Sequence, residues 1–527
     1  MKYFSTRGGS ERLSFEDTVL TGLAPNGGLY IPESIPSLPS NWQEKWKSLS
    51  FVDLAVEVLS LYISEDEIPR DDLRKLVEKS YGTFRHPDIT PLQKLNEKLF
   101  VLELFHGPTF AFKDVALQLL GNLFEYFLVR RNAKKSSGEP REKLTVVGAT
   151  SGDTGSAAIY GLRNKENISI FILHPKGRIS PIQQAQMTTI TDANVHNIAV
   201  KGTFDDCQDV VKALFGDKEF NEKHRLGAVN SINWARILAQ TVYYFLSYFR
   251  VQAISPGARI QYVVPTGNFG DVLAGYYAKR MGLPTDKLII ATNSNDILAR
   301  FWKTGKYERV ELEAETAAAP ASGISDGKDA VKETLSPAMD ILVSSNFERL
   351  LWYLAYEAEG GGTVDDACAM VDGWMKSVKS NGRVEVPRKA LELAKRDFIA
   401  ERVSDDQTLS TIRRLYESEP SYIVDPHTAV GLTAAQITAS ESELSSSLIQ
   451  VSLSTAHPAK FSEAVAKALR SSAAFDFDRD VLPEEFRGLL QKRQRVIDVE
   501  SADVDLVKSV IESTVDMEQT KSSTGCV

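Results

Sequence analysis

Only three cysteines, Cys207, Cys368 and Cys526, occur in 527 residues, and they are scattered without metal-ligand spacing. That scarcity argues against a disulfide framework and a zinc site, and it fits a reducing compartment. Positive charge is not in excess either: 61 Lys and Arg face 70 Asp and Glu, a net charge of −9 that leaves no basic footprint for nucleic acid. No uncharged run is long enough to span a bilayer. The most notable, Ile237–Phe249, is too short and includes Gln240, Thr241 and Ser247, so it reads as a buried helix and no membrane partner is expected. The N-terminal MKYFSTRGGSERLSFED carries acidic residues and no apolar core, so neither a secretory signal nor a typical transit peptide is apparent, and a cytoplasmic location is expected. Internal repeats are also lacking. What is present is a chain 43% hydrophobic, able to bury a large core in roughly two to four structural units.

Four short segments stand out in order along the chain: HGPTFAFKD around Lys113, ATSGDTG at 149–155, PTGNFGD at 265–271 and SLSTAHPAKF at 452–461. Lys113 follows the apolar run Leu99–Phe105 and precedes Val115–Phe124, a strand-to-helix junction. A lone lysine at a helix start is usually a solvated charge. Here Phe105, Pro108, Phe110, Ala111 and Phe112 precede it, and an ammonium among apolar groups has a lowered pKa that suits Schiff-base chemistry. ATSGDTG lies between a strand-like run, 143–148, and the helical SAAIYGL. Gly152 and Gly155 permit a tight turn, Ser151 and Thr154 supply hydroxyls, and the helix start directs N–H groups into the turn. The segment lacks a P-loop lysine and the spaced glycines of a dinucleotide fingerprint. An ordinary strand–turn–helix connection remains open for it. PTGNFGD repeats the pattern between Ile260–Val264 and a helix over Asp271–Met281 stopped by Gly282, a second place where backbone amides can hold a phosphate. Ser454 and Thr455 follow the strand-like Leu448–Val451; they read either as helix-start residues or as hydroxyls for a pyridine nitrogen. His457 reads as structural.

Strands alternate with helices from Leu99 to about Ala291, which predicts an α/β fold of mostly parallel sheets covered by helices, with ligands at the carboxyl ends of strands. The expected organisation is an N-terminal domain over 1–95, a core over 96–310 and 430–470 with large and small subdomains, a surface insertion at 311–336, a mainly helical region over 337–429, and a C-terminal extension over 471–527. The closing MEQTKSSTGCV is expected to be disordered.

The order lysine, TSGDTG, GNFG, late Ser/Thr resembles the tryptophan-synthase-β-like pyridoxal-phosphate enzymes of fold type II. Within that group the chain resembles the threonine synthases, in the longer form of fungi and many bacteria. TGLAPNGGLYIPE at 21–33, HPDITPL at 86–92, NSINWAR at 230–236 and SPAMDILVSSNFERLLW at 336–352 extend the match from Met1 to about Leu469. The resemblance implies pyridoxal 5'-phosphate as cofactor and O-phospho-L-homoserine as substrate, converted with water to L-threonine and phosphate by γ-elimination and β-addition. It also implies a biosynthetic enzyme of the cytoplasm able to act as a monomer.

By the same resemblance Lys113 carries the cofactor and moves protons. Gly267, Asn268, Phe269, Gly270 and Asp271 match the cofactor-phosphate loop, and Thr455 matches the partner of the ring nitrogen. Thr150, Ser151, Gly152, Asp153 and Thr154 match the substrate-binding loop. Asp153 as a mere helix cap stays open. Arg236 in NSINWAR is a candidate for the substrate phosphate, against a structural salt bridge. Two alternatives remain beside this reading. One is an O-phosphohomoserine lyase or a serine/threonine dehydratase of the same fold; the other is a catalytically silent scaffold that binds the cofactor or a metabolite.

Overall fold

Eleven strands, most of them from runs rich in Val, Ile, Leu and Phe, build the two larger sheets of the computed structural model, which describes residues 1–309, 331–358, 362–441 and 447–524. In chain order they are β1 (Leu92–Lys94), β2 (Leu99–Glu103), β3 (Leu144–Ala149), β4 (Ile168–Pro175), β5 (Val195–Val200), β6 (Leu226–Gly227), β7 (Arg259–Pro265), β8 (Leu288–Thr292), β9 (Phe398–Arg402), β10 (Leu448–Ser454) and β11 (Ile497–Val499). The larger sheet has the order β9-β8-β7-β10-β2-β1, parallel except for β1. The smaller, β11-β5-β4-β3-β6, is parallel throughout. β10 is buried over its whole length, as a strand covered on both faces must be, and its Gln450 amide donates to Gln261 Oε1 of β7 at 3.0 Å.

The helices that matter for the site are α1 (Lys113–Ala133), α2 (Asp153–Leu162), α3 (Pro181–Thr188), α4 (Trp234–Ile254), α5 (Gly270–Met281) and α6 (Pro426–Glu441). Residues Ile237–Phe249 of α4 are buried on every side, in line with the sequence. The N-terminal two-stranded antiparallel sheet of Tyr3–Ser5 with Tyr30–Pro32 packs onto α4, the Tyr3 ring 5.7 Å from that of Trp234. No helix among the described residues is long and apolar enough to cross a membrane.

The sheets also recruit residues from outside the ranges expected for the core. β9 lies in the stretch read as mainly helical, and β11 lies in the C-terminal extension. The helix Val504–Thr524 then buries Val507 and Ile511 in a cluster with Cys207, Val210 and Leu214. That helix runs into the stretch expected to be disordered, MEQTKSSTGCV, whose residues 525–527 lie outside the described residues. Most of the expected insertion, 311–330 of 311–336, lies outside the described residues.

Candidate active site

β2, β10 and β7 are parallel neighbours, so the segments that follow them, containing Lys113, Thr455 and Gly267, leave the carboxyl end of the larger sheet side by side. The turn between β2 and α1 is laced to the end of β10. Leu104 N donates to Ser454 O at 3.0 Å, His457 N to Phe110 O at 3.0 Å and Phe112 N to Thr455 O at 2.7 Å. Asp114 closes the turn by accepting from Thr109 N and Oγ1, both at 2.8 Å, and burial raises its pKa to about 6 against the pull of those bonds. Phe110 has φ of 60°, an uncommon conformation for a bulky residue, held here by contacts on both sides. The result fixes Lys113 as the first residue of α1.

The fourth motif arrives from the smaller sheet. α1 and α2 cross at Gly121 and Gly161, where a Cβ on Gly121 would lie 1.9 Å from Gly161 O. That close approach sets the start of α2 against the start of α1, and Lys113 Nζ donates to Thr154 Oγ1 at 3.0 Å. Burial pulls the Lys113 pKa down to about 8; the Asp153 carboxylate opposes the shift, and the Arg236 and Lys460 charges add to it.

Asp153 is the first residue of α2 and makes no cap: its Oδ1 accepts from Lys460 Nζ at 2.8 Å and from Gln183 Nε2 at 2.9 Å. Burial pushes the carboxyl up, but Lys460 and then Lys113 outweigh it and hold the pKa well below the ordinary range. Thr150 staples the loop, its hydroxyl accepting from Gly152 N at 2.9 Å and Gly155 N at 2.8 Å, whereas Ser151 is exposed. Gly152 has φ of 141° and abuts Gln183 so closely that a Cβ would meet Oε1 at 2.3 Å.

On the β7 side, Gly267 passes close to the Ala338–Met339 backbone. Asn268 is exposed, with Oδ1 accepting from Ser345 Oγ at 3.1 Å, and Gly270 opens α5. Two residues of this loop direct their side chains elsewhere. Phe269 is buried among Trp302, Phe347 and Phe398, and Asp271 accepts from the hydroxyls of Tyr243 and Tyr244, with burial raising its pKa to about 6. Their share in holding a phosphate can only be through the backbone.

Arg236 makes no salt bridge among the described residues. Its Nη1 donates to Val229 O at 2.8 Å, its Nε is buried without a partner, and burial lowers its pKa to about 10, so it stays charged at neutral pH. Thr455 Oγ1 is likewise buried and unpartnered. An amine of lowered pKa, an orphaned hydroxyl on the adjoining strand end, a helix N-terminus and a buried, part-used guanidinium fit a pyridine that carries a phosphate, together with an anionic substrate. Lys460 was the residue not singled out from sequence. Its signal is a lysine in the otherwise uncharged SLSTAHPAKF, but only the fold reveals that it is fully buried and also donates to Thr109 O at 2.9 Å.

Three family models match the chain: the threonine synthase N terminus over residues 2–81, the pyridoxal-phosphate dependent enzymes over 84–348, and the threonine synthase C-terminal region over 428–511. Threonine synthase of Schizosaccharomyces pombe is 57% identical over 98% of this chain and 99% of its own, and that of Saccharomyces cerevisiae 53% over 97% of each. The crystal structure of threonine synthase from yeast superposes with a TM-score of 0.91 at 52% identity, covering 98% of this chain and 99% of that one. The pyridoxal-phosphate-bound threonine synthase from Brucella melitensis gives 0.84 at 41%, with the same coverage. With matches of this extent spanning the segments that meet around Lys113, the chain belongs to the threonine synthase family of fold type II pyridoxal-phosphate enzymes.

Proposed function

We infer that this site converts O-phospho-L-homoserine and water into L-threonine and phosphate, using pyridoxal 5'-phosphate. The observation that carries the reading is the Lys113 amine, its pKa near 8, hydrogen-bonded to Thr154 of the TSGDTG turn at the strand ends that also present Gly267 and Thr455. The bound cofactor supplies an electron sink for the negative charge left when a proton is taken from the substrate Cα.

Lys113 is the residue to carry the cofactor and, once free, to take and return protons. With a pKa near 8, on the order of one amine in ten is unprotonated at pH 7. Thr154 Oγ1 orients that amine. The N–H groups of Gly267 through Asp271 at the start of α5 receive the cofactor phosphate, with about 0.3–1 kcal/mol from the helix dipole and more from direct hydrogen bonds. Asn268 would reach the ring hydroxyl, and Thr455 Oγ1 would face the ring nitrogen. A hydroxyl there leaves that nitrogen less firmly protonated than a carboxylate would.

The Thr150–Thr154 turn receives the substrate. Thr150 shapes it, Gly152 lets it close on Gln183, and the ionised Asp153 adds a fixed negative charge. Arg236, with Nε uncommitted, is the guanidinium for the substrate phosphate. The enzyme is taken, on its family resemblance, to work in the cytoplasm and as a monomer. The test is to supply O-phospho-L-homoserine to the cofactor-loaded protein and quantify products. Threonine equal to phosphate is expected; 2-oxobutyrate with phosphate would make the protein an O-phosphohomoserine phospho-lyase that forms no threonine, and no phosphate release would overturn the substrate.

A further inference from the structure

A cleft of about 800 Å³ lies against the turn that delivers Lys113, reaching Pro108 and Phe110, yet none of Lys113, Asp153, Thr154, Arg236 and Thr455 lines it. Its size is that of a small-molecule site. In a chain of net charge −9 it gathers Lys79, Arg85, Arg163, Lys165 and Lys492 against one lining carboxylate, Glu485. Glu125 pairs with Lys79 and Lys165, and Asp192 with Arg163, so part of that charge is answered. The balance stays positive, and Lys492 has no ion-pair partner among the described residues.

Two further lining groups are buried with unused hydrogen-bonding capacity. Gln118 is 6% exposed and its Nε2 has no partner; Gln186 is 3% exposed and its Oε1 has none, although its Nε2 donates to Thr109 O at 3.2 Å. A spare amide donor and a spare acceptor in residues that line one cleft are costly, and because both atoms are covered in this structure a ligand would reach them by turning the amides toward the cleft. Flat faces are present too. Arg163 sits 5.3 Å from the Tyr160 ring centroid and Arg85 3.8 Å from that of Phe110.

We propose that this cleft binds an organic phosphate of the nucleoside monophosphate class, its phosphate met by the cations and its planar polar part by the two amides and the ring-stacked guanidinium groups. Arg85 connects the cleft to the chemistry. It donates to Gly107 O and to Pro108 O at 3.1 Å and to Glu485 at 2.5 Å, so a ligand competing for Arg85 bears on the turn that holds Lys113.

The test is calorimetric titration of the cofactor-loaded protein with AMP, GMP, CMP and UMP, with orthophosphate as control, followed by the effect of the binder on turnover at saturating substrate. At least one nucleotide is expected to bind and to change kcat. Lys492→Glu and Gln118→Leu are each expected to weaken it by at least ~5-fold while keeping unliganded turnover. Lys492 is exposed, so its replacement remains informative if the buried Gln118→Leu protein fails to fold. Absence of binding by all four nucleotides, equal binding by both folded variants, or purely competitive inhibition against substrate would each overturn the proposal.

Discussion

Lys113 burdens the protein when no cofactor is attached to it. Its pKa is lowered to about 8 in the fold, so below that pH folding buries a charge that the unfolded chain keeps hydrated, and the penalty is relieved as pH rises from about 8 toward the ordinary lysine value near 10.5. Lys113→Met apoprotein is therefore expected to be more stable than wild-type apoprotein at pH 7, by up to ~3 kcal/mol. The advantage should shrink between pH 8 and 10.5, as urea unfolding at several pH values would show; a constant difference would mean that the lysine is not burdened. Thr455→Val separates structure from chemistry in a similar way. Because Oγ1 has no partner, the apoprotein should lose no stability and still bind cofactor, judged by its visible absorbance, while turnover falls by ~10-fold or more. Lys113 and Thr455 were legible in sequence because each follows an apolar run in a distinctive segment. Lys460 and the inward turn of Asp271 were not, since both depend on partners distant in the chain, Asp153 for one and the Tyr243–Tyr244 pair for the other.

The crossing of α1 and α2 decides whether the Lys113–Thr154 bond can form. Gly161→Ala would place its Cβ 2.5 Å from Leu117 O, backbone that can yield only if the helices separate. Overpacking of this kind costs about 1–3 kcal/mol. Here it should also reduce kcat at least ~10-fold by moving Thr154 away, a coupled loss that steady-state kinetics and urea unfolding would measure together. Were turnover unchanged in a destabilised variant, the crossing would not be what sets the site. Strands β2, β3, β4, β5, β7 and β10 could be read directly from runs of branched and aromatic residues. β9 and β11 could not: FIAER and IDV carry charge, and each becomes a strand only because a neighbouring sheet edge offers it hydrogen bonds.

Over the molecule as a whole, the C-terminal segment completes the smaller sheet and seals one face of it. Ile511 is fully buried, and Ile511→Ala should cost about 2–5 kcal/mol in urea unfolding with little change in KM, since the cluster it belongs to contains none of the site residues. A large rise in KM at unchanged stability would contradict that separation. The larger sheet has a different dependence on the end of the chain. Its inner strand β10 is inserted between β2 and β7, both made long before it. While the ribosome adds 266–447 at usual elongation rates, the edge of β7 awaiting β10 stays bare for roughly 10–40 s, and that of β2 for longer. Neither the sheet nor the meeting of Lys113 with Thr455 can form until then. The protein is thus most vulnerable to aggregation as a nascent chain that still lacks β10, and its dependence on chaperones should be greatest at that stage of synthesis.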